Sequence, residues 1–309
     1  MAKIVITGSS GLLGAHLMAA YAQRHEVIGV DRHPWWGDQP FRTFVEDLAT
    51  PAALRLLRDL APTVLIHSAA LVDVDACEHD PTQAYAVNAQ LTKAFARAVP
   101  LTCLVVYIST DGVFKGDAPH MAETDLPCPR TIYARSKLQG EWDVTLATPH
   151  HLIVRTNFYG WSSGRKQTAA EWLYQSLANG APITLFDDFH FSPIYVVDFV
   201  QRLMLLTDGG HRGLLHLSGA DRVSKYQFGA MMAKAAGFST APIRSGSIDK
   251  AALAAPRPKD MSLDSRRFCQ LTGTTLPGCK EGLRRFLEDR TRPLSARVEA
   301  AREASMIAA

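Results

Sequence analysis

The chain has 309 residues, of which 47% are hydrophobic and 20% are charged, a composition that buries a full core without disulfides. The formal net charge of +3 is spread along the sequence, which disfavours nucleic acid and an anionic membrane surface as partners. The cysteines number 5 and follow no metal-ligand spacing, so we expect free thiols and no metal site. The sequence shows no signal peptide pattern and no long apolar stretch, and a cytoplasmic location is the expectation.

Short apolar runs alternate with helix-length amphipathic segments through the first half of the chain. Strands are predicted at 3–8, 26–31, 42–48, 63–70, 101–110 and 151–156, and helices near 12–24, 52–60, 82–98 and 132–147. Continuous apolar strands that alternate with helices indicate a parallel sheet covered on both faces. We therefore predict an α/β fold with a doubly wound parallel sheet of the Rossmann type, in which ligands bind beyond the carboxyl ends of the strands.

The second half of the chain alternates less regularly. Further strands and helices are predicted near 166–179, 182–188, 195–207, 214–219, 224–236, 263–271 and 279–289. We expect residues 1–157 to form the sheet domain and 158–290 to form a smaller C-terminal lobe that holds the substrate, with part of 182–219 returning to the sheet. The Ala-rich tail 291–309 is expected to be either helical or disordered.

Three glycines stand between the first predicted strand and the first predicted helix. Gly8, Gly11 and Gly14 belong to the stretch TGSSGLLG. Small residues at this place let the backbone approach a pyrophosphate, and the helix N-terminus supplies free N–H groups. This strand–turn–helix context predicts that the domain 1–157 binds a dinucleotide.

The end of the second predicted strand carries candidate contacts to the adenosine ribose of that dinucleotide. Asp31 follows the glycines by about twenty residues, where a carboxylate accepts hydrogen bonds from ribose hydroxyls. Arg32 comes next, and a guanidinium there would pair with a 2′-phosphate. These residues favour NAD(H) as the cofactor and leave NADP(H) open.

Two further pairs of residues are assigned to the same region. Asp47 and Leu48, predicted to end the third strand, are expected beside the adenine. Trp35 and Trp36 either flank that site, or form an exposed loop tip or a partner contact. The sequence alone leaves these alternatives for the tryptophans open.

The stretch TIYARSKLQGEW offers a tyrosine and a lysine four residues apart. Tyr133 and Lys137 would share one face of a helix. An ammonium beside a phenol favours the phenolate and lowers the tyrosine pKa, which makes the tyrosine a proton donor or acceptor near neutrality. The preceding strand ends in Ser109, Thr110 and Asp111, so a hydroxyl and the tyrosine are predicted to meet at one edge of the sheet.

In this order the motifs resemble the extended short-chain dehydrogenase/reductases, and within them the dTDP-4-dehydrorhamnose reductase group. The likeness runs over nearly the whole chain, through GSSGLLG, YISTDGVF, YARSKLQGE, IVRTNFYG, FSPIYVVDF and PRPKDMSLD. It implies an NAD(P)H-dependent reduction of the 4-keto group of a nucleotide-diphosphate-linked deoxy sugar. It also implies that Tyr133 protonates the substrate oxygen, Thr110 hydrogen-bonds that oxygen, and Lys137 also holds the nicotinamide ribose.

The resemblance implies the remaining contacts as well. The cofactor residues are expected to be Gly8, Ser10, Gly11, Leu12, Leu13, Gly14, Asp31, Arg32, Asp47, Leu48, Ser68, Ala69, Ala70, Asn88, Tyr133 and Lys137. The substrate residues are expected to be Val72, Ser109, Thr110, Asp111, Gly112, Tyr133, Asn157, Phe158, Pro193 and Arg257. Arg257 suits a diphosphate because a guanidinium grips phosphate oxygens bidentately. The partner is then a small-molecule nucleotide sugar, and a homodimer is left open.

Gly112 departs from the family pattern, which commonly has a tyrosine there, and the difference implies a wider or differently shaped sugar site. Related 4,6-dehydratases carry a glutamate at this position, because removal of water needs an acid and a base beside the tyrosine. Dehydration is therefore disfavoured. A nucleotide-sugar 4-epimerase remains an alternative, and so does a non-catalytic NAD(P)-binding regulatory subunit, since the C-terminal half also resembles the beta subunit of methionine adenosyltransferase.

Overall fold

The structure is a computed structural model that describes residues 1–164, 166–251 and 255–307. Its strands are β1 (Lys3–Thr7), β2 (Glu26–Asp31), β3 (Arg42–Val45), β4 (Val64–His67), β5 (Leu104–Thr110), β6 (His151–Thr156), β7 (Phe158–Tyr159), β8 (Ile183–Phe186), β9 (His190–Phe191), β10 (Ile194–Tyr195), β11 (Gly213–His216), β12 (Val223–Ser224), β13 (Ile243–Gly246) and β14 (Asp260–Met261).

Its α-helices lie mostly between the strands of the first half and around the short strands of the second. They are α1 (Leu12–Tyr21), α2 (Pro51–Leu60), α3 (Val74–His79), α4 (Pro81–Tyr85), α5 (Leu91–Ala98), α6 (Ile132–Ala147), α7 (Ala169–Ala178), α8 (Val196–Asp208), α9 (Lys225–Ala236), α10 (Arg266–Thr272), α11 (Cys279–Glu288) and α12 (Leu294–Ile307). A π-helical segment, Ala86–Gln90, joins α4 to α5. Single 3₁₀ turns lie at Asp111–Val113 and Ile248–Lys250.

Seven strands form one parallel sheet in the order β11-β6-β5-β4-β1-β2-β3. The order reverses between β1 and β4, which is the switch point where folds of this class bind ligands. The predicted α/β fold with a doubly wound parallel sheet is confirmed. The carboxyl ends of β1, β4, β5 and β6 therefore share one edge of the sheet.

The apolar core lies on both faces of the sheet. Successive side chains of a strand point to opposite faces, and in β1 the side chains of Ile4 and Ile6 belong to one buried cluster while Val5 belongs to another. The first cluster includes residues of α1, α8, α11 and α12, and the second includes residues of α2, α5 and α6. This two-sided burial explains why the strands are continuous apolar runs.

The predicted elements match the observed ones to within about three residues at most ends. β3 ends at Val45, so Asp47 and Leu48 lie in the turn before α2, where the Asp47 carboxylate accepts a hydrogen bond from the Ala49 N–H (3.0 Å). The predicted helix 82–98 is instead divided by the π-helical segment, and α3 was not predicted.

The chain beyond residue 157 divides between the central sheet and small sheets of its own. β11 pairs with β6 at the edge of the central sheet, whereas β10 pairs with β7, β13 with β8, and β12 and β14 both pair with β9. The tail forms α12, which packs on α1 and α8 with Leu294 and Val298 buried. Residues 308 and 309 of the predicted tail lie outside the described residues.

Two features are absent from the part of the chain that the structure describes. None of the helices in the described ranges is both long and apolar enough to cross a bilayer. Within the same part of the chain, no group of three or more His, Cys, Asp or Glu side chains is arranged to hold a metal ion.

Candidate active site

The turn between β1 and α1 has the geometry of a phosphate-binding loop. Gly8 has a φ of +72°, and a Cβ there would lie 2.8 Å from the backbone of Ala69, so only glycine fits. A Cβ on Gly14 would lie 2.0 Å from the Gly8 carbonyl oxygen, which shows how closely α1 packs on the turn. At Gly11, the N-cap of α1, no described side chain caps the helix. The N–H groups of the first turn are thus suited to the oxygens of a diphosphate.

Asp31, at the end of β2, fixes the shape of this turn. One carboxylate oxygen accepts a hydrogen bond from the Ser10 N–H (3.0 Å), and the other accepts one from the His33 N–H (2.9 Å). Each oxygen keeps a lone pair for a ribose hydroxyl, because a carboxylate has about four acceptor sites. Arg32 is exposed beside it. Asp31 therefore has a structural role in addition to the predicted ribose contact.

The loop after β4 is held against β1 and α6. The Ser68 hydroxyl donates to the Thr7 carbonyl oxygen (2.6 Å), and Ala69 lies against Gly8. Asn88, in the π-helical segment, accepts from the Leu71 N–H (2.9 Å) and donates to the Leu71 carbonyl oxygen (3.0 Å). It also donates to the Ser136 hydroxyl of α6 (3.0 Å). Asn88 thus joins the loop after β4 to the helix that carries Tyr133.

Local sequence determines where α6 begins and how close it lies to β5. The Thr131 hydroxyl caps the helix by accepting from the Ala134 N–H (3.1 Å). Gly140 allows the close approach, since a Cβ there would lie 2.3 Å from the Tyr107 hydroxyl oxygen. Tyr133 consequently lies on the first turn of α6, and Lys137 follows one turn later on the buried side.

The hydroxyl groups of Thr110 and Tyr133 meet at the carboxyl end of β5. The Thr110 side chain is close enough to Tyr133 to act on the pKa of its phenol. Thr110 Oγ1 also accepts from the Gly112 N–H (3.1 Å) and donates to a carboxylate oxygen of Asp111 (3.1 Å). The structure thus brings together the hydroxyl and the tyrosine that the sequence placed at one edge of the sheet.

The pKa values of Tyr133 and Lys137 differ from the sequence-based expectation. Burial raises the pKa of the Tyr133 phenol. Burial also lowers the pKa of Lys137 to about 7, although Glu141 opposes that shift. Lys137 Nζ lies 4.0 Å from the centre of the Tyr107 ring. The prediction that Lys137 lowers the pKa of Tyr133 is wrong for the chain alone, because desolvation of the phenol dominates.

Asp111 is a buried acid that faces the same site. Its carboxylate accepts from Thr110 and from the Asn157 side-chain amide (2.6 Å). Burial raises the pKa of Asp111 to about 6, against the effects of Asn157, Thr110 and the charge of Lys225. Lys225 Nζ lies 3.3 Å from the centre of the Phe191 ring, and burial lowers its pKa to about 8. The charges of Asp111 and Lys225 thus act on each other across two distant parts of the chain.

A buried ion pair lies beneath α6. Arg155, on β6, donates to both carboxylate oxygens of Glu141 (2.9 and 2.7 Å). The Ser109 hydroxyl donates to Glu141 as well (2.5 Å). The prediction that Ser109 contacts the substrate does not fit this placement, because consecutive residues of a strand point to opposite faces and Thr110 takes the face toward Tyr133.

The family described as RmlD substrate binding domain matches residues 2–292. The chain belongs to this family. The dTDP-4-dehydrorhamnose reductase of Mycobacterium tuberculosis (strain CDC 1551 / Oshkosh) is 33% identical over 283 residues, which are 88% of this chain and 88% of the relative. The resemblance to the dTDP-4-dehydrorhamnose reductase group, inferred from the sequence motifs, is thereby confirmed.

A solved structure and a second relative extend the comparison. The crystal structure of dTDP-4-dehydrorhamnose reductase from Bacillus anthracis in complex with NADP has a TM-score of 0.84 at 27% identity, covering 93% of this chain and 99% of that chain. The beta subunit of methionine adenosyltransferase 2 from Xenopus tropicalis is 27% identical over 313 residues, which are 93% of this chain and 89% of the relative. Named relatives of this RmlD-family chain therefore include reductases and a subunit of another enzyme.

The remaining predicted substrate residues are spread along the cleft of the RmlD-family fold. Phe158 is half-buried in β7 and packs on Phe199 (5.7 Å between ring centres), and Pro193 lies directly before β10. Val72 is 58% exposed after β4, where a bound molecule would cover it. Gly112 could carry a methyl group, since a Cβ there would meet Thr110 and Ala134 at ordinary contact distances of 3.4 and 3.6 Å.

Arg257 lines a cavity of about 560 Å³ with other charged residues, including Arg130, Arg222 and Lys259. Its guanidinium donates to a carboxylate oxygen of Asp75 in α3 (2.9 Å) and to the Ala255 carbonyl oxygen (3.1 Å). Part of the guanidinium is thus engaged within the chain. Carboxylates line the cavity too, and Arg222 and Lys259 are paired with them. The contact of Arg257 with a diphosphate remains a prediction.

Sequence reasoning missed Lys225 and the Glu141–Arg155 pair. Lys225 is the first residue of α9, after a capping box formed by Ser224 and Gln227. A lysine is unfavourable beside the positive end of a helix dipole. This unusual placement could have identified Lys225 from the sequence. Glu141 stands four residues after Lys137, on the same helix face, and this spacing was a signal too.

Proposed function

We propose that this protein is an NAD(P)H-dependent oxidoreductase that reduces the 4-keto group of a nucleotide-diphosphate-linked deoxy sugar. The observation that carries the proposal is the proximity of Thr110 and Tyr133 at the carboxyl end of β5, with Lys137 one turn further along α6, at the same edge of the sheet as the glycine turn after β1. The relatives named dTDP-4-dehydrorhamnose reductase, and the NADP complex of one of them, support it.

The residues of the glycine turn fit a dinucleotide. The space at Gly8 and the uncapped first turn of α1 suit a pyrophosphate, and Asp31 has acceptor sites left for a ribose. Lys137 and Asn88 would support the nicotinamide end. When bound, the reduced nicotinamide supplies the hydride for the reaction.

Tyr133 is proposed as the acid. The raised pKa keeps its phenol protonated before the reaction, so a proton is present to give to the substrate oxygen. Thr110 donates a hydrogen bond to that oxygen, and both donors act where negative charge develops. The ammonium of Lys137, which Glu141 helps to keep charged, stabilises the phenolate that remains.

Asp111, Asn157 and Lys225 are proposed to orient the sugar. Asn157 fixes the Asp111 carboxylate through a hydrogen bond of 2.6 Å, and Lys225 reaches the same place from the smaller lobe. Gly112 has no side chain beside Thr110 and Ala134, so a sugar group can approach where a larger residue would block it. The shape and polarity of the sugar are therefore read mainly around Asp111.

A regulatory subunit is the second candidate, and the similarity to the beta subunit of methionine adenosyltransferase 2 favours it. The arrangement of Thr110, Tyr133 and Lys137 argues for turnover instead. A dehydratase is disfavoured because glycine stands at position 112, beside Asp111, and offers no second acid. A cytoplasmic location, the absence of a nucleic-acid partner, and the oligomeric state remain predictions from the composition and the resemblance.

A binding and turnover experiment distinguishes the candidates. Purified protein is first titrated with NADPH and NADH by calorimetry, and then mixed with a panel of nucleotide-linked 4-keto-6-deoxy sugars while the absorbance of the reduced nicotinamide is followed. Oxidation with a dTDP-linked 4-keto sugar is the expected result. Tight cofactor binding without oxidation by any sugar would favour the regulatory subunit, and the absence of cofactor binding would contradict both.

A further inference from the structure

The tryptophan pair and the C-terminal tail take no part in the proposed reaction, but the structure brings them together. Trp35 and Trp36 lie in the loop 32–41 after β2, and α12 begins at Leu294, beyond the stretch 2–292 that the RmlD family matches. Both features lie next to the glycine turn between β1 and α1. Their contacts connect this turn to the end of the chain.

The loop 32–41 is seated directly on the glycine turn. The indole N–H of Trp36 donates to the carbonyl oxygen of Ser10 (2.8 Å). Trp35 stacks on Trp36 with 6.1 Å between ring centres, and meets Phe41 edge-on at 5.2 Å. A Cβ on Gly37 would lie 2.1 Å from the Trp35 ring. The loop is therefore a packed aromatic unit whose position is linked to that of Ser10.

Asp38, in the same loop, caps α12 from a distant part of the chain. Pro293 precedes α12 and has no side-chain acceptor for the free N–H groups of the first turn. One carboxylate oxygen of Asp38 accepts from the Ser295 N–H (3.2 Å), and the other accepts from the Ser295 hydroxyl. A carboxylate at a helix N-terminus is also stabilised by the helix dipole.

The charge of Asp38 agrees with this capping role. Burial opposes its ionised form, but the hydrogen bonds from Ser295 and the charge of Arg297 hold the pKa of Asp38 below its usual value. The ionised carboxylate is therefore present across the neutral range. It can accept both hydrogen bonds from Ser295 at once.

α12 is anchored on the helix that starts at the glycine turn. Leu294 and Val298 are each 3% exposed and belong to the same apolar cluster as the α1 residues Leu13 and Leu17. Arg297 lies close enough to His16 of α1 to affect its charge. A closed series of contacts therefore runs from the glycine turn through Trp36, Asp38 and α12 back to α1.

We propose that residues 35–38 and 294–298, here called the C-terminal brace, hold the glycine turn in the conformation that binds NADP(H). Asp38 and Trp36 are positioning residues in this proposal, since they act through Ser10 and α12. The inference rests on the proposed function, because it takes the dinucleotide to be the ligand of the turn. Cofactor affinity, and not the rate of the chemical step, then depends on the brace.

The main test compares three forms of the full chain by calorimetric titration with NADPH. Asp38→Ala removes the cap and is expected to weaken binding by about three- to tenfold, the size of effect that a lost helix cap has on an equilibrium. Asp38→Asn is expected to bind nearly as well as the wild type, because asparagine caps helices as well as aspartate. In steady state, Asp38→Ala should raise the KM for NADPH and leave kcat at saturation unchanged.

Further variants separate the brace from general damage to the fold. Trp36→Phe removes the indole N–H to Ser10 and should also weaken binding, while Gln39→Ala and Glu299→Ala change exposed side chains nearby and should not. The quenching of tryptophan fluorescence by NADPH gives a second reading, and it should shrink most in Trp36→Phe. Thermal melting of each variant verifies that it is folded at the titration temperature.

The outcomes are distinct for the two proposals. Wild-type affinity in Asp38→Ala, or equal losses in Asp38→Ala and Asp38→Asn, would overturn the brace while leaving the proposed function intact. A rise in KM for NADPH that is matched in Gln39→Ala would overturn it as well. A wild-type chain that binds neither NADPH nor NADH would instead overturn the proposed function, and the brace with it.

Discussion

Two buried acids near the carboxyl end of β5 have very different surroundings. Glu141 receives both arms of the Arg155 guanidinium and the Ser109 hydroxyl. Asp111 receives the neutral groups of Thr110 and Asn157, while the cation that faces it, Lys225, makes no ion pair with it among the described residues. Glu141 is therefore paired with a buried cation, whereas Asp111 has no paired cation within the described part of the chain and can bind a further group.

The difference distinguishes an acid that stabilises the fold, Glu141, from an acid that belongs to the candidate active site, Asp111. A buried ion pair joined by two hydrogen bonds resists change, because the removal of either member leaves an uncompensated charge. A buried acid without a paired cation destabilises the fold, and this cost is typical of groups kept for function. The contrast between Glu141 and Asp111 predicts opposite responses when each acid is neutralised.

The largest expected effect on stability is that of Glu141→Gln. The substitution leaves Arg155 charged and buried, and it should lower the free energy of unfolding by about 3 to 5 kcal/mol. Urea denaturation measures the change. The matched control is Glu288→Gln, which breaks the exposed pair with Arg284 and should cost less than about 1 kcal/mol. Equal losses of unfolding free energy in Glu141→Gln and Glu288→Gln would contradict the structural role assigned to Glu141.

Tyr133→Phe tests the candidate active site, which should respond in turnover and not in stability. It removes only the phenol hydroxyl, so turnover should fall by about a hundredfold or more, as expected for a general acid. Cofactor affinity and the urea midpoint should stay close to the wild type. Initial rates at saturating NADPH give the measurement, and unchanged turnover would refute the role of Tyr133.

Asp111→Asn should stabilise the protein at neutral pH. The folded pKa of Asp111 is raised from 3.8 to about 6, so folding favours the protonated acid and becomes less favourable as the pH rises through this interval. Asparagine resembles the protonated acid, and the variant should gain about 1 to 3 kcal/mol at pH 7. The gain should vanish below about pH 4. Urea denaturation at both pH values measures the change. A loss of stability at pH 7 in Asp111→Asn would contradict the argument.

Gly112→Tyr should have the smallest effect on stability and should act on substrate choice. The side chain would start in contact with Thr110 and Ala134, and the range of accepted 4-keto sugars should become narrower. Gly112→Ala is the control, since its methyl group meets only ordinary contacts and should change stability by less than about 0.5 kcal/mol. An unaltered substrate profile in Gly112→Tyr would count against the pocket argument.

The sequence predicted the sheet and α6 well because both depend on local periodicity. The predicted helix 132–147 has the observed bounds of α6, and the strand that ends at Thr110 ends there in the structure. The short strands β7, β9, β10, β12 and β14 have two residues each. Such strands form only by pairing with distant segments, and no periodicity within two residues can indicate them.

The site was predicted in part for similar reasons. Tyr133 and Thr110 come from one helix and the strand before it, so their meeting follows from the order of elements. Lys225 reaches Asp111 across more than a hundred residues of sequence, which no local pattern encodes. The Ser109 hydroxyl donates to Glu141, and strand alternation favours Thr110 over Ser109 as the predicted substrate contact.

The π-helical segment that carries Asn88 has a consequence for insertions and deletions. A π turn is equivalent to one extra residue in an α-helix, and loss of one residue between 86 and 90 would restore a regular helix. Asn88 lies within this segment, so the change from π to α geometry would alter the direction of its side chain. Asn88 would lose its alignment with Leu71 and Ser136. This stretch therefore tolerates substitution on its exposed face but not a change in length.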